Sequence, residues 1–409
     1  MLILAILAVV LLAALAVGIT AVARVELMAS RSALRRMQAL FLAEAGLQEA
    51  RSVLMYDDQN VDTLKDPWGP ECEDPLDAPR QYGDGYYRVR VYDACARINI
   101  NTADQETLFR LTGDPMLAAA IIDWRDAGDM PSAEGAEREY YLSLRHPYLP
   151  RNGPFQTLGE LLLVRGMTPQ LLYFSDGSRP PLSDLLTVHS LALNTDANGG
   201  TRVNLNSFRN WSEQAFRDYI LRKLGNVLTE YDANQIWLAM NGLPGQVYTS
   251  VGQLVTAAGL SFDKVAGIVD LVTADNSLLG AGKVNVNTAP IEVLAALPGS
   301  SATVAMDIVA RRQQAPFTSL GEVAQLLLSE QDGPQVFAGM IDWLTTKSSM
   351  FIVESMGYTP EGGVRTIRAL VRRDADAVSV VQEVEQDWPM APLGERYPGS
   401  VYVQTASAR

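Results

Sequence analysis

The chain has 409 residues, of which 48% are hydrophobic and 20% are charged. This composition is typical of folded proteins, and the length suffices for two or three domains, so a mainly disordered chain is excluded. The formal net charge is −14, from 47 acidic and 33 basic residues. Because sequence-independent binding to nucleic acid needs clustered Lys and Arg, this balance argues against that function.

The first 23 residues carry no charge, and as a helix they would span roughly 30 Å, the thickness of a bilayer core. No basic region precedes this run and no clean small-residue cleavage site follows it, which favours a membrane anchor over a cleaved secretory signal. After Arg24, residues 24–56 contain no proline and place apolar side chains at helical spacing. The prediction is one continuous helix of roughly 50 residues or more, half in lipid and half outside.

The compartment of the large domain is less settled by these residues. Taken alone, the positive-inside rule places it in the cytoplasm, whereas a basic leader ahead of Met1 would reverse that orientation. The charges concerned all follow the apolar run: Arg24, Arg31, Arg35 and Arg36. The two cysteines, Cys72 and Cys95, are compatible with one disulfide in an oxidising compartment, but two are too few to be diagnostic and the pairing stays open.

Strand patterns flank the middle of the chain on both sides. Residues 57–85 are rich in Asp, Pro and Gly and indicate a loop, after which YYRVRVYD alternates bulky and polar residues as a strand does. Three further strand candidates, MFIVESMGY, VRTIRALVRRD and VSVVQEVEQ, lie near the other end. Residues 97–347 therefore look like an insertion into a small antiparallel sheet.

The inserted segment repeats itself three times. The segments RININTA, TRVNLNS and KVNVNTAP open units at about 97–190, 201–275 and 283–347, and each unit later carries a block of the type PFQTLGE, VYTSVGQ or PFTSLGE. We expect the Thr or Ser of each block to cap a helix, and Asn287 or Thr288 to cap the helix after the third motif, with Pro290 in its first turn.

The third repeat, NVNTAPIEVLAALPG, resembles the helix-hairpin-helix modules of competence DNA receptors and repair enzymes. In those modules a Gly-apolar-Gly turn holds a phosphate on its backbone N–H groups. In the third unit the turn has Ser301 where the second glycine is expected. The first unit has Asp114 at its turn, and in the second unit the turn, around Lys223 and Gly225, is hardly recognisable. With the acidic charge, the sequence predicts helical units of this kind that bind no nucleic acid.

The order of these parts resembles protein K of the type II (general) secretion pathway, the largest minor pseudopilin. The resemblance covers nearly the whole chain and rests on several segments in order: the uncharged helix continuing into FLAEAG, YYRVRVYD leading into ININTA, IIDWRDAGDMPSAEGAEREYY, PFQTLGELLLVRGMT, and FIVES with VRTIRALVRRD. No single piece is decisive, since FLAEAG occurs in many pilin-like proteins, but their combination is specific.

The resemblance implies an α+β protein: a pilin-like fold, formed by the long transmembrane helix and a small antiparallel sheet, with a large inserted domain of helix-hairpin-helix-like (SAM-like) units. The divisions are then a transmembrane segment at 1–23, its extramembrane continuation at 24–56, a loop and first strands at 57–96, the inserted domain at 97–347, closing strands at 348–390 and a tail at 391–409. Family members are processed by a prepilin peptidase and assemble through their helices.

The same resemblance implies a role and a location. We expect a non-enzymatic subunit at the tip of a pseudopilus, held in the inner membrane by one span with its large domain in the periplasm. Its expected partners are the I and J pseudopilins, the pseudopilus and the exported folded proteins. Position five, Ala5, lacks the Glu of other pilin-like subunits, as protein K characteristically does. The absence of a basic leader ending in Gly predicts either a sequence that starts at the mature end or a misassigned start.

Catalytic patterns are missing from the sequence. His146 and His189 stand alone, and a lone histidine is more often structural than catalytic. The best candidate site is the acidic segment DWRDAGDMPSAEGAERE, whose carboxylates could surround Ca²⁺: Asp123, Asp126, Asp129, Glu134, Glu137 and Glu139. It lacks EF-hand spacing, and the residues alone favour a solvated acidic loop. The resemblance implies calcium in the helical domain, because Gly135 to Glu137 match the family pattern. The family often has Asp at two positions that are Gly128 and Arg138 in this chain.

Two other functions stay open at this point. A minor pilin of a type IV pilus would share the N-terminal half of the argument. A membrane-tethered DNA receptor would use the helical hairpins, against which Asp114 and Ser301 speak.

Overall fold

The computed structural model describes residues 1–386 apart from 176, 178, 197, 198, 276, 278 and 331, so the predicted tail at 391–409 lies outside the described residues. The chain opens with α1 (Leu2–Tyr56), one continuous helix of 55 residues, which confirms the prediction. Its described side chains are exposed as far as Gln38, whereas Ala39, Leu42 and Leu47 are buried. Within the described part of the chain, α1 is the one helix long and apolar enough to cross a bilayer.

Thirteen strands occur in the described residues, most of them only two or three residues long. In chain order they are β1 (Arg80–Tyr82), β2 (Gly85–Asp93), β3 (Ile98–Asn99), β4 (Leu186–Thr187), β5 (Leu191–Leu193), β6 (Val203–Asn204), β7 (Val272–Thr273), β8 (Leu279–Ala281), β9 (Val284–Asn285), β10 (Leu344–Thr345), β11 (Met350–Tyr358), β12 (Val364–Asp374) and β13 (Ala377–Gln386). The four strands predicted by alternation correspond to β2, β11, β12 and β13. Strand β1 was not predicted: its three residues lie within 57–85, the segment that the sequence indicated as a loop.

The five-stranded sheet has the order β1-β2-β11-β12-β13, with all neighbours antiparallel. The second half of α1 packs on one face, where Leu47 and Leu54 meet Val89, Phe351 and other apolar side chains. The helix lies close to the sheet at Gly357, since a Cβ there would sit 2.0 Å from the Ala39 carbonyl oxygen. Strands β2 and β11 are neighbours in the sheet although far apart in sequence, so the intervening segment is an insertion, as predicted.

The insertion, called the helical domain here, contains thirteen α-helices among its described residues: α2 (Gln105–Thr112), α3 (Pro115–Arg125), α4 (Arg138–Leu142), α5 (Pro169–Tyr173), α6 (Leu182–Leu185), α7 (Glu213–Leu224), α8 (Glu230–Gly242), α9 (Gln253–Thr256), α10 (Phe262–Ile268), α11 (Ile291–Ala296), α12 (Ala302–Gln314), α13 (Leu320–Leu327) and α14 (Gly333–Met340). One continuous apolar core runs through them from Ile98 to Leu344. Together the long helix, the antiparallel sheet and this domain make the α+β architecture that was predicted.

Each asparagine motif begins a two-stranded parallel ladder. Strand β3 pairs with β4, β6 with β7, and β9 with β10. In each pair the first strand belongs to the motif and the second comes from the end of the same predicted unit. Each motif therefore joins the beginning of its unit to the end of the same unit.

The second asparagine of each motif holds the later aromatic block by two hydrogen bonds, an arrangement called the amide clamp here. The Asn287 Nδ2 donates to the Phe317 carbonyl at 2.9 Å, and the Phe317 N–H donates to the Asn287 Oδ1 at 2.8 Å. Asn101 makes the same pair of bonds with Phe155, and Asn206 with Tyr248. The repeated motif is thus a tertiary joint between the start of a unit and its later block.

The predicted helix caps are only partly correct. Helix α11 begins after Pro290, and no side chain caps its first turn. Neither predicted residue is free to do so, because Asn287 is bonded to Phe317 and the Thr288 hydroxyl donates to Asp93. Among the later blocks, Ser319 does cap α13 by accepting from the Glu322 N–H. The corresponding positions in the first two blocks have no hydroxyl cap, so that prediction holds in the third unit alone.

In the first and third units, the described hairpin turns that could bind a phosphate are already occupied by other parts of the chain. Gly299, at the tip between α11 and α12, packs against α14, since an added Cβ would lie 3.0 Å from the Val336 carbonyl oxygen. Arg110 of α2 also donates to the Leu297 and Ser300 carbonyls. In the first unit, the side chain of Asp114 already accepts from the N–H groups at the start of α3. These contacts explain physically why the hairpin fold persists without the ligand.

The disulfide left open by the sequence is not formed. Cys72 and Cys95 are both free thiols. Cys95 is buried, and its Sγ lies 3.2 Å from the Leu191 carbonyl oxygen, to which it donates. Cys72 lies in the partly exposed turns before the sheet.

Candidate metal site in the first helical unit

The acidic segment predicted from sequence lies between α3 and α4. Asp123 is in the last turn of α3 and is 1% exposed, and Asp126 is the residue directly after that helix. Glu137 is the residue before α4 and caps none of its N–H groups with its side chain. Two helix ends therefore place three carboxylates at the mouth of one loop.

These three carboxylates converge. One oxygen atom from each of Asp123, Asp126 and Glu137 lies within 4.8 Å of the other two. Glu137 is 2% exposed, and neither of its carboxylate oxygens has a hydrogen-bond partner. A buried carboxylate without a partner is costly, so this arrangement points to a bound cation or proton.

The loop from 126 to 137 is shaped around Asp123. The Ser132 N–H donates to both oxygens of Asp123, at 3.3 and 3.1 Å, and the Gly128 N–H donates to Asp126 at 2.8 Å. Gly135 passes so close that an added Cβ would sit 1.8 Å from the Asp123 Oδ2. Only a glycine fits at that position while Asp123 keeps its place.

The electrostatics of the cluster are those of crowded negative charge. Burial, together with the nearby Asp123 and Asp126 carboxylates, raises the pKa of Glu137 to about 7 and so favours its protonated form. The Arg165 guanidinium donates to the Gly135 carbonyl and stacks over the Tyr140 ring. No described basic side chain forms a salt bridge with the three carboxylates.

The donor set suits a hard cation. Three carboxylates offer up to six oxygen atoms, and Ca²⁺ takes six to eight oxygen ligands, whereas zinc and copper sites use nitrogen or sulfur that this cluster lacks among the described residues. A divalent charge would also offset the repulsion that burial imposes on Glu137. The residues present therefore fit calcium.

The other three predicted carboxylates are not brought into the cluster. Asp129 accepts from the Asn152 Nδ2 at 3.0 Å and is exposed. Glu134 is exposed and holds a backbone φ of 70°, and Glu139 is exposed in the first turn of α4. Sequence spacing pointed to the segment in which three carboxylates converge, but it could not separate those three from Asp129, Glu134 and Glu139.

A second acidic cluster, at Asp57, Asp62 and Asp66, was missed by the sequence reasoning. It already contains a cation, because the Arg373 Nη2 lies 2.6 Å from both oxygens of Asp62 and its Nη1 lies 3.5 Å from Asp57. The Trp68 indole also donates to Asp57, and the Thr63 N–H and hydroxyl donate to Asp66. This cluster is a buried ion-pair network that joins the loop after α1 to β12.

The fold and site together define a class: a pilin-like protein with a membrane-length N-terminal helix and a helical domain inserted in its sheet. A chain of the crystal structure of the GspK-GspI-GspJ complex, from the type 2 secretion system of enterotoxigenic Escherichia coli, has a similar fold. The TM-score is 0.50 at 16% identity, covering 88% of this chain and 99% of that chain. At this identity the likeness establishes the fold alone.

Sequence comparisons show similarity to one family. Two family models, both described as type II secretion system protein K, match residues 98–173 and 284–345, which lie at the two ends of the helical domain. The type II secretion system protein K of Klebsiella pneumoniae is 28% identical over 181 residues, covering 32% of this chain and 56% of the relative. The chain thus spans about half the length of the curated relative it matches. Two segments of the helical domain, residues 98–173 and 284–345, are therefore similar to the type II secretion protein K family.

Proposed function

We propose that the protein is a non-enzymatic structural subunit, a minor pseudopilin at the tip of a type II secretion pseudopilus. The observation that carries this proposal is the exposed part of α1. Beyond Arg24, apolar side chains at Leu27, Leu34, Met37 and Phe41 are more than half exposed although they lie outside the bilayer-length segment. Apolar helix faces of this kind are buried when other subunits pack on them.

The position of the helical domain supports a place at an end of the assembly. The domain is attached where α1 ends, since the Asp62 N–H donates to the Thr346 carbonyl and the Asn285 Nδ2 donates to the Asp62 carbonyl. It therefore lies at the end of the long helix that is remote from the apolar segment. A head of this size would obstruct a further subunit added above it, so a tip fits better than a place within the filament.

The partners proposed for α1 are pseudopilins of the I and J types, because the fold matches a chain from a complex that contains both. The first 23 residues would anchor the chain in the inner membrane and the large domain would lie in the periplasm, where folded proteins pass during export. In this role the protein would move with the pseudopilus and carry out no chemical step.

Co-expression in membranes tests this assignment. The full chain is purified by affinity in mild detergent with candidate I and J pseudopilins from the same cell, and we expect a stoichiometric complex. Deleting the chain should also block export of folded proteins by the pathway. A monodisperse chain that captures neither subunit, together with normal export in its absence, would overturn the assignment.

We also propose that Asp123, Asp126 and Glu137 hold a structural calcium ion. The support is the convergence of three carboxylates, two of them buried, around a glycine loop that few apolar side chains stabilise. Calcium would fix the 126–137 loop against α3 and α4. Its binding would stabilise the folded chain by about 2.7 kcal/mol at a free concentration of 100 Kd.

The matched variants Glu137→Gln and Glu139→Gln test the calcium site, because both are glutamates of one segment and only Glu137 belongs to the cluster. We expect calcium to raise the melting temperature of the wild type and of Glu139→Gln. Without calcium, Glu137→Gln should be more stable than the wild type, since it removes a buried charge, and added calcium should not stabilise it. A wild-type melting temperature that chelator leaves unchanged would rule out the metal.

A further inference from the structure

The flank between α1 and β13 combines apolar and acidic side chains that nothing in the described chain covers. On α1, Leu34, Met37 and Phe41 are 57%, 56% and 67% exposed. Their spacing of three and four residues puts them on one side of the helix, which Glu44 continues one turn further on. The opposite side of the same turns, at Ala39 and Leu42, is buried against the sheet.

Strand β13 forms the floor of this flank. It is an edge strand of the sheet, and the Arg51 guanidinium of α1 fixes its start by donating to the Val378 carbonyl at 3.1 and 2.7 Å. In the ladder with β12, Glu383 is opposite Ala369 and Glu385 is opposite Ile367. Since both partners belong to the core under α1, the two glutamates lie on the face of the sheet that carries the helix.

The apolar character of β13 changes to acidic along this face. Val378 and Val380 contact the core under α1, whereas the later positions on that face are Glu383 and Glu385. Burial raises the pKa of Glu383, and the charges of the nearby Glu44 and Glu385 carboxylates act in the same direction. No described basic side chain forms a salt bridge with any of the three.

We propose that this flank, defined by Leu34, Met37, Phe41, Glu44, Glu383 and Glu385, is the docking site for the helix of another pilin-like subunit that presents a Lys or Arg to the three carboxylates. The proposal rests on the proposed function and adds the chemistry of the partner. A helix parallel to α1 would rest on the part of the sheet that α1 leaves uncovered. Its apolar side chains would pack between Leu34, Met37 and Phe41, as side chains do in paired helices. Its Lys or Arg would offset the negative charge of the three carboxylates.

The carboxylates would also fix the position of the partner along α1. An apolar face alone allows neighbouring helices to slide by a turn, whereas a basic residue meets the acidic group at one axial position. Charged pairs at the edge of an interface contribute little each, so the apolar residues would supply most of the affinity and the charges the register.

The test uses the full chain co-expressed with candidate I and J pseudopilins in native membranes. A photoreactive benzoylphenylalanine replaces Phe41 in one variant and Tyr82, which is 68% exposed on the opposite edge strand, in a control. Substitutions follow separately: Phe41→Ser; the triple change Glu44→Gln, Glu383→Gln and Glu385→Gln; and a control triple at the exposed Glu213, Glu230 and Glu361.

We expect cross-links from position 41 to the helix of a pilin-like partner and none from position 82. Phe41→Ser should weaken capture by about tenfold or more, and the acidic triple by about tenfold at low salt with loss of salt dependence. The control triple should leave capture unchanged. If the wild type captures partners but the flank variants do so equally well, or position 41 cross-links to a second copy of this chain, the inference is wrong and the proposed function stands. If the wild type captures no partner, both fail.

Discussion

Replacing Asn287 by alanine removes the amide clamp of the third helical unit while leaving the backbone around it intact. Asn287 is 3% exposed and Phe317 is fully buried, so water cannot replace the lost bonds. The Phe317 N–H and carbonyl would both be left without their partner. Each unsatisfied buried group costs about 1–3 kcal/mol, so the two groups together lower the local stability of this unit by about 2–6 kcal/mol.

Asn287→Asp separates the hydrogen bonds from the packing, because the two side chains have nearly the same shape. The carboxylate can still accept from the Phe317 N–H, but it cannot donate to the Phe317 carbonyl and would place negative charge against that oxygen. We therefore expect Asn287→Asp to destabilise the unit at least as much as alanine does. A loss caused only by the cavity would appear with alanine and be absent with aspartate.

Hydrogen exchange measured by mass spectrometry is the suitable assay, because the chain has several parts and a single unfolding free energy is not well defined for it. Exchange in peptides covering 283–290 and 315–322 should accelerate by about 30-fold or more. Asn241→Ala is the control: its Nδ2 also donates to a carbonyl, that of Trp237, but it lies exposed on α8. If both alanine variants exchange alike, the clamp contributes little and the explanation of the repeated motif is wrong.

Three further predictions concern other parts of the chain. Gly135→Ala should abolish the calcium-dependent rise in melting temperature while the chain still folds, because its Cβ would collide with Asp123; an unchanged calcium response would contradict the loop geometry. Burial and the neighbouring Asp66 raise the pKa of Asp57 from 3.8 to about 6, so the folded state keeps a proton that the unfolded state has lost and stability falls as pH rises between about 4 and 6. Asp57→Asn should flatten that part of the melting profile while keeping an acceptor for Trp68, and an unaltered slope would refute the assignment. Duplex DNA should show no retardation by the purified chain even at low salt, since Asp114 occupies the N–H groups of α3, and retardation that weakens steeply with salt would disprove this.

The continuous helix α1 and the strands β2, β11, β12 and β13 followed from sequence because each depends on local periodicity. Apolar residues at helical spacing without proline favour a helix, and alternation over eight or more residues favours a half-buried strand. The insertion was also visible, since strand patterns stood on both sides of a repeated helical segment. The same local reasoning failed at β1, whose three residues are too short to show a pattern.

The sequence by itself determined the repeated motifs and the acidic segment, but the tertiary structure alone decided what they do. Asn287 looks like a helix cap because its short-range neighbours allow one, and it becomes a clamp because the chain brings Phe317 back to it from 30 positions away. Likewise, Glu137 and Glu139 are both glutamates of the same acidic segment, and the sequence does not distinguish them. Only the path of the folded loop buries Glu137 beside Asp123 and leaves Glu139 exposed. Local propensity acts over a few residues, whereas these contacts depend on packing between distant segments, which no short window of sequence contains.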